Sequence, residues 1–178
     1  MIILSSLCIL FLAKFITIKI HQHKDAIWVW EELRPQIGDL YQEDVLTHYT
    51  DAGYQCTPKV QRYIISTQCT HLSMDQSYPD IHFTSNKSYE ILFIDITTEE
   101  EILVNNDTAL EQFIEMSSSI LSLSEQDKAL MTEWVQSTIE ENTSEFIIWE
   151  DSYFNGEPYR LSIDEDKVYI VIGAQIRF

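Results

Sequence analysis

The chain divides into an apolar beginning and an acidic remainder, and this division limits what it can fold into. Residues 1–18 contain one charged side chain, Lys14, whereas all 29 acidic residues lie at or after Asp25. Eight of the 11 basic residues also lie beyond Asp25, so the net charge from that residue onward is −21. The apolar stretch must be removed from water, and the acidic part must expose a large charged surface.

Residues 1–22 are predicted to form a membrane anchor. Eighteen helical residues extend about 27 Å, close to the hydrocarbon thickness of about 30 Å. A buried first helix or strand and a cleaved secretory signal are the alternatives. The signal fits less well, because no basic residue precedes the apolar stretch and Phe11 lies two places before Ala13, where cleavage favours a small residue.

The orientation of such an anchor is predicted from the basic residues beside it. Lys19 and Lys24 follow the apolar stretch, so the positive-inside rule places the acidic domain in the cytoplasm. A soluble cytoplasmic protein and an exported one are the alternative locations. Cys56 and Cys69 could form a disulfide in an oxidising compartment, but free thiols in the cytoplasm are the simpler interpretation of two cysteines in a domain this size.

Residues 25–178 are predicted to form a single acidic α+β domain. A chain of about this length buries most of its apolar surface around one core. Strand patterns occur before and after a helical middle without strict alternation, which favours helices packed on one face of a mixed or antiparallel sheet. An apolar N-terminal helix precedes this domain in the predicted architecture.

The individual elements follow from periodicity and from residues that begin or end helices. The pattern predicts helices over 27–34, ended by Pro35, and over 43–52, ended by Gly53. Two further helices are expected to begin at the hydroxyls of Thr108 and Ser124 and to extend to about residues 121 and 140.

The strands are predicted from alternation and from continuous apolar stretches. Residues 60–65 alternate, and residues 89–96 are apolar on both faces, as in a central strand. Residues 145–150, 159–163 and 167–178 are predicted to form a C-terminal three-stranded meander, because turn sequences separate them.

One segment combines the residue types that bind metal ions. Cys69, His71, Asp75, Asp80 and His82 lie within fourteen residues, and zinc sites use such ligands. His71, Asp75, Asp80 and His82 are therefore the candidate metal ligands of a small metal-dependent hydrolase. The competing interpretation is a polar loop bent by residues 77–80, because no paired spacing fixes a coordination geometry.

Other chemistry is not indicated by the sequence. The four glycines are dispersed, so neither nucleotide-binding fingerprint is present, and no cofactor is predicted. A surface this acidic repels phosphate backbones, which argues against nucleic-acid binding. No run of residues completes a catalytic motif or resembles a known family.

The preferred functional hypothesis is a membrane-tethered acidic module that captures a basic protein, as immunity proteins, inhibitors and adaptors do. Opposite charges would speed the encounter and make it specific. The candidate contact residues are exposed acids near the end of the last helix and in the last turn: Glu140, Glu141, Asp164, Glu165 and Asp166. The hydrolase that uses residues 69–82 is the alternative.

Overall fold

The structure, a computed structural model, describes residue 37 and residues 39–73, 77–141, 148–164 and 166–173. The predicted anchor and the predicted helix over 27–34 lie outside the described residues. The helices are α1 (Gln42–Asp51), α2 (Glu100–Asn105), α3 (Asp107–Ser119) and α4 (Glu125–Glu141). The strands are β1 (Tyr54–Val60), β2 (Ile64–His71), β3 (Asp80–Asn86), β4 (Ile91–Glu99), β5 (Ile148–Phe154), β6 (Glu157–Asp164) and β7 (Lys167–Ile172).

The strands form one seven-stranded sheet in the order β1-β2-β3-β4-β7-β6-β5. Every neighbouring pair is antiparallel, which confirms the α+β class and decides between the mixed and antiparallel alternatives. The first four strands form one meander and the last three form another. Helices α2 to α4 connect β4 to β5 at the far edge, so that β7 returns to pair with β4 at the centre of the sheet.

The C-terminal meander agrees with the sequence prediction because its turns have specific residue requirements. Asn155 and Gly156 both have positive φ values, 52° and 82°, as a two-residue hairpin turn with right-handed strand twist requires. The turn pairs Phe154 with Glu157 and so sets the register of β5 against β6. Strand β5 begins at Ile148 and ends at Phe154, later than the predicted 145–150.

One face of the sheet forms the core, and we call it the inner face. Alternate strand residues on this face and the buried residues of the helices belong to a single hydrophobic cluster. Phe113 of α3 is completely buried in it. The strand members of the cluster include Ile81, Phe83, Ile94, Ile96, Leu161, Ile163, Val168, Ile170 and Ile172.

Buried tyrosines attach the sheet and α1 to helix α3. The Tyr49 hydroxyl of α1 donates to the Met116 carbonyl at 3.3 Å, and the Tyr159 hydroxyl of β6 donates to the Ser117 carbonyl at 3.3 Å. Burial raises the pKa of both phenols, which therefore remain neutral donors. Each bond gives a carbonyl in the last turn of α3 a side-chain donor from another element.

The structure corrects two local predictions and confirms a third. Residues 60–65 do not form one strand, because β1 ends at Val60 and β2 begins at Ile64, with a turn between them. Helix α3 begins after Asn106, whose side-chain oxygen accepts from the Ala109 amide at 3.2 Å, rather than at the Thr108 hydroxyl. The expectation for α4 is confirmed, since the Ser124 hydroxyl accepts from the Asp127 amide at 3.1 Å.

The expectation of free thiols is wrong for two of the three cysteines. Cys56 and Cys69 face each other in the register of β1 and β2 and are joined by a disulfide. The sequence alone does not decide whether these two cysteines pair. Their pairing depends on a hairpin whose turn lies within residues 60–65, where alternation predicts a strand.

Glu150 holds helix α4 to the edge strand β5. Its Oε2 atom accepts from the Trp134 indole nitrogen at 3.0 Å and from the Thr138 hydroxyl at 2.9 Å. Both donors lie on α4, so a single carboxylate oxygen connects two successive turns of the helix to the sheet.

Replacing Glu150 with alanine should lower the free energy of unfolding by about 1–3 kcal/mol, because the partly buried Trp134 indole N–H loses its acceptor. The Thr138 hydroxyl retains the Trp134 carbonyl as an acceptor at 2.8 Å. Urea denaturation monitored by circular dichroism measures this loss of stability. The control is Glu133→Ala, an exposed acid on the same helix, which should change stability by less than about 0.5 kcal/mol. Equal effects of the two substitutions would contradict this role for Glu150.

Candidate functional site

The structure does not bring the two candidate histidine ligands together. Cys69 and Ile81 are paired across β2 and β3, and both are buried on the inner face. His71 lies two residues after Cys69 and shares its face, whereas His82 is adjacent to Ile81 and points to the opposite, outer face. The sheet therefore separates the two imidazoles.

His71 is already engaged by its neighbours. Its ring stacks on Tyr78 with the centroids 3.5 Å apart, its Nδ1 atom is 2.9 Å from the Ser73 hydroxyl, and its Nε2 atom is 3.2 Å from the Ala52 carbonyl. A side chain on Gly53, where φ is +94°, would approach the same imidazole. These contacts give His71 a packing role at the end of β2.

The remaining candidate ligands do not complete a site. Asp80 is exposed at the start of β3, and Asp75 lies outside the described residues. Within the part of the chain that the structure describes, no group of three or more His, Cys, Asp or Glu residues is arranged to hold a metal ion. Cys69 has no thiolate to offer, because its sulfur is in the disulfide.

His82 belongs to a polar row across the outer face that sequence reasoning missed. Its Nε2 atom is 2.7 Å from the Ser66 hydroxyl on β2, and it faces Asp95 in the register of β3 and β4. Among the described residues no hydrogen bond joins the His82 ring to the Asp95 carboxylate, so the oriented base that activates a serine is not assembled. The row is a polar contact across three strands. Sequence spacing did not reveal it, because its members lie far apart in the chain.

Asp95 is the carboxyl of this row, and burial opposes its ionisation. Burial raises the pKa of its carboxyl, and the opposing effects are the hydrogen bond donated by the Thr97 hydroxyl at 3.2 Å and the proximity of His82. A raised pKa in the folded state means that this carboxyl contributes stability at pH values below its unfolded pKa. The contribution is lost as the pH rises through the folded pKa.

Asp95→Asn should therefore increase the stability of the protein at pH 8, because the amide removes a desolvated charge and can still accept from Thr97. The increase should diminish as the pH falls toward 4. Urea midpoints of the wild-type and Asp95→Asn proteins across this pH range show whether the substitution raises or lowers stability. Asp80→Asn, on the same face but exposed, serves as the control and should leave the midpoint nearly unchanged. A loss of stability at pH 8 would overturn this account of Asp95.

A cleft with acidic walls lies where β4, α2 and the β6–β7 turn meet, and we call it the acidic cleft. It is an open cavity of about 720 Å³. Two of the predicted contact residues, Asp164 and Asp166, line it; Glu165 between them lies outside the described residues. The full lining is Glu99, Glu100, Glu101, Val104, Asn105, Asp164, Asp166, Lys167 and Tyr169.

The walls of the acidic cleft are connected by main-chain hydrogen bonds. The Glu100 amide at the start of α2 donates to the Asp166 carbonyl in the turn at 2.8 Å. In the sheet register, Lys167 of β7 lies between Glu99 of β4 and Asp164 of β6. The carboxylates therefore project from a framework fixed by the sheet and by this main-chain hydrogen bond.

The charge of the acidic cleft is unbalanced. Five carboxylates and one ammonium group line it. The salt bridges between described residues lie elsewhere, joining Lys128 to Glu115 and Glu125, and Arg160 to Asp151. Carboxylates held this close repel one another, and the repulsion falls when a cation approaches.

The acidic cleft also offers apolar contact area. Val104 of α2 is 60% exposed, and Tyr169 on the outer face of β7 is partly exposed. An apolar side chain with an aromatic ring nearby can pack against the stem of a lysine or arginine whose charge reaches a carboxylate. The cleft therefore matches the two parts of a long basic side chain.

Glu99, Glu100 and Glu101 lie at the start of α2, where negative charge is favourable: Glu99 is the residue before the helix and the other two lie in its first turn. The same three residues face the β6–β7 turn, which is more than sixty residues later in the chain. Only the pairing of β4 with β7 brings the two acidic segments together.

Glu140 and Glu141 lie away from the acidic cleft, in the last turn of α4. Both are exposed, and the last turn of this helix contains no basic residue. The end of a helix carries a partial negative charge, so acidic side chains there are unfavourable. These two residues therefore cost the free protein stability.

Replacing Glu140 and Glu141 with lysine should stabilise the protein by about 0.3–1 kcal/mol for each residue, because the helix end then meets positive charge. Thermal unfolding at low salt measures the gain, which should shrink at high salt as the charges are screened. The control is the glutamine pair, which should give a smaller gain. A loss of stability with the lysine pair would contradict this electrostatic account.

A second groove lies between α3 and α4 and is smaller, about 410 Å³. Its acids include Asp107, Glu111 and Glu115. Glu115 is already paired with Lys128 at 2.8 Å, which reduces the negative charge available there. The acidic cleft is therefore the stronger candidate for binding a cation.

Comparisons with known proteins leave the site to be interpreted from its own geometry. No protein-family model matches the chain, and neither a curated protein nor a solved structure is significantly similar to it. None of the helices that the structure describes is both long and apolar enough to span a membrane.

Proposed function

We propose that this protein is a binding module that captures a basic protein through the acidic cleft. The observation that carries the proposal is the clustering of five carboxylates, from two distant segments, around exposed Val104. The hydrolase alternative has less support, because its candidate histidines lie on opposite faces of the sheet.

The charge of the protein supports rapid capture. From Asp25 onward the net charge is −21, so a basic partner is attracted over distances beyond direct contact. At physiological salt this attraction extends about 8 Å. The acidic cleft then supplies the short-range contacts that decide orientation and specificity.

The energetic cost of the acidic surface supports the same function. Mutual repulsion in the acidic cleft and the acids at the end of α4 both lower the stability of the free protein. A cationic partner bound in the acidic cleft relieves the repulsion there, so part of the binding free energy comes from repulsion that is present before the encounter. Capture of a basic protein by an acidic surface is the function of an immunity protein, an inhibitor or an adaptor. Membrane tethering through residues 1–22 remains a prediction.

The test compares partner capture by the wild-type protein with capture by a cleft variant. Glu101→Lys with Asp166→Lys reverses two charges on opposite walls of the cleft. Asp51→Lys with Glu133→Lys is the control, because it changes the net charge equally at exposed positions away from the cleft. Proteins retained from native extract are identified, and the affinity of each purified candidate is then measured by calorimetry.

The expected partner is a basic protein whose affinity falls with rising salt. The cleft variant should bind it at least about tenfold more weakly, equivalent to about 1.4 kcal/mol, while the control should retain most of the affinity. Equal binding by the cleft variant and the control, or partners that are not basic, would overturn the proposal.

A further inference from the structure

We infer that the described domain works in an oxidising compartment, and that the partner of the acidic cleft is a basic protein exported to that same compartment. The nature of the partner rests on the proposed function, whereas the compartment does not. The inference reverses the cytoplasmic orientation predicted from Lys19 and Lys24. Its basis is the disulfide between Cys56 and Cys69 and the strand that this bond secures.

Strand β1 lies at the edge of the sheet and buries little of its own surface. Tyr54 is its completely buried end, and Cys56 is partly buried. The four residues from Thr57 to Val60 are exposed, including the large side chain of Val60. Hydrophobic burial therefore holds only the beginning of β1 against β2.

The disulfide compensates for this weak packing. It joins β1 to β2 at directly opposed positions, and Cys69 is 0% exposed in the core. The two cysteines are 13 residues apart, and a loop of about that size stabilises a fold by limiting the unfolded chain. The covalent bond thus holds the edge strand β1 to the sheet, whereas buried apolar side chains hold the central strands.

The surroundings of the bond show that the hairpin is part of the folded body. The Tyr54 hydroxyl donates to the Pro79 carbonyl at 3.1 Å, and the Tyr54 ring packs edge-on against Tyr49 and His71. Loss of the bond would loosen β1 and expose the polar edge of β2. Unpaired strand edges of this kind are sites of aggregation.

The compartment follows from the chemistry of the bond. Glutathione and thioredoxin keep cytosolic thiols reduced, whereas secreted, periplasmic and lumenal proteins retain structural disulfides. A domain whose edge strand depends on such a bond belongs on the oxidising side of a membrane. A partner that reaches the acidic cleft must then be exported as well, and a cationic exported protein is the class that fits the charge.

The test reads the redox state of the full-length protein in its own cells. Cells are quenched with N-ethylmaleimide under denaturing, non-reducing conditions, and the mass of the purified protein is measured. A Cys8→Ser variant leaves only the two paired cysteines to be counted. Reduction before a second alkylation is the control that shows both cysteines to be accessible once the bond is broken.

We expect no adduct on Cys56 or Cys69 before reduction and two adducts after it. Two adducts in the first quench would overturn the compartment inference while leaving binding by the acidic cleft intact. Equal partner binding by the cleft variant and the control, with the disulfide present, would instead overturn the proposed function and leave the compartment inference intact.

A second measurement tests whether the bond supports the fold. Cys56→Ser with Cys69→Ser should lower the equilibrium constant for folding by about a hundredfold relative to the oxidised protein. Dithiothreitol should lower the equilibrium constant for folding of the wild type to a similar degree and leave that of the double variant unchanged. An oxidised protein no more stable than the double variant would show that β1 needs no covalent support, which would contradict the inference.

Discussion

The pairing of β4 with β7 is the interaction on which the rest of this structure depends. These two strands come from different meanders, and their register places Ile94 opposite Ile172 and Ile96 opposite Ile170, all of them completely buried. Antiparallel pairing at this point joins the two halves into one sheet with one inner face. Helix α3 can then cover that face and receive hydrogen bonds from tyrosines on either side.

The same pairing creates the functional surface. At its last step, Glu99 meets Lys167, and the acids after β4 come to lie beside the acids of the β6–β7 turn. The core and the acidic cleft are thus two consequences of one register. A shift of one residue would turn the apolar residues of β7 away from the core and would also separate the walls of the cleft.

Charge and stability oppose each other in this protein. The acids of the cleft and the last turn of α4 are placed where mutual repulsion or the helix dipole makes them unfavourable. Compensation comes from the apolar inner face, from the Glu150 contacts to α4 and from the disulfide at the edge strand. An acidic binding surface on a small domain therefore requires that other parts of the fold be held firmly.

The sequence by itself determined the α+β class, the C-terminal meander and the ends of α1 and α4, because these depend on local chemistry. Asn155 and Gly156 favour a hairpin turn, Ser124 caps a helix and Gly53 ends one, wherever the rest of the chain lies. Alternation also predicted a strand across residues 60–65, and failed there because a short turn between two strands does not interrupt the pattern of apolar residues. Asp164 and Asp166 could be proposed as contact residues because exposed acids in a turn are visible in the sequence.

Only the tertiary structure decided which distant residues meet. The sheet faces separate His71 from His82 although they are close in sequence, and the β4–β7 pairing joins Glu99 to the β6–β7 turn although they are far apart. The register of β1 against β2 likewise places Cys56 opposite Cys69. Sequence spacing measures distance along the chain, whereas strand register and sheet face determine distance in space, and the candidate site depends on the second.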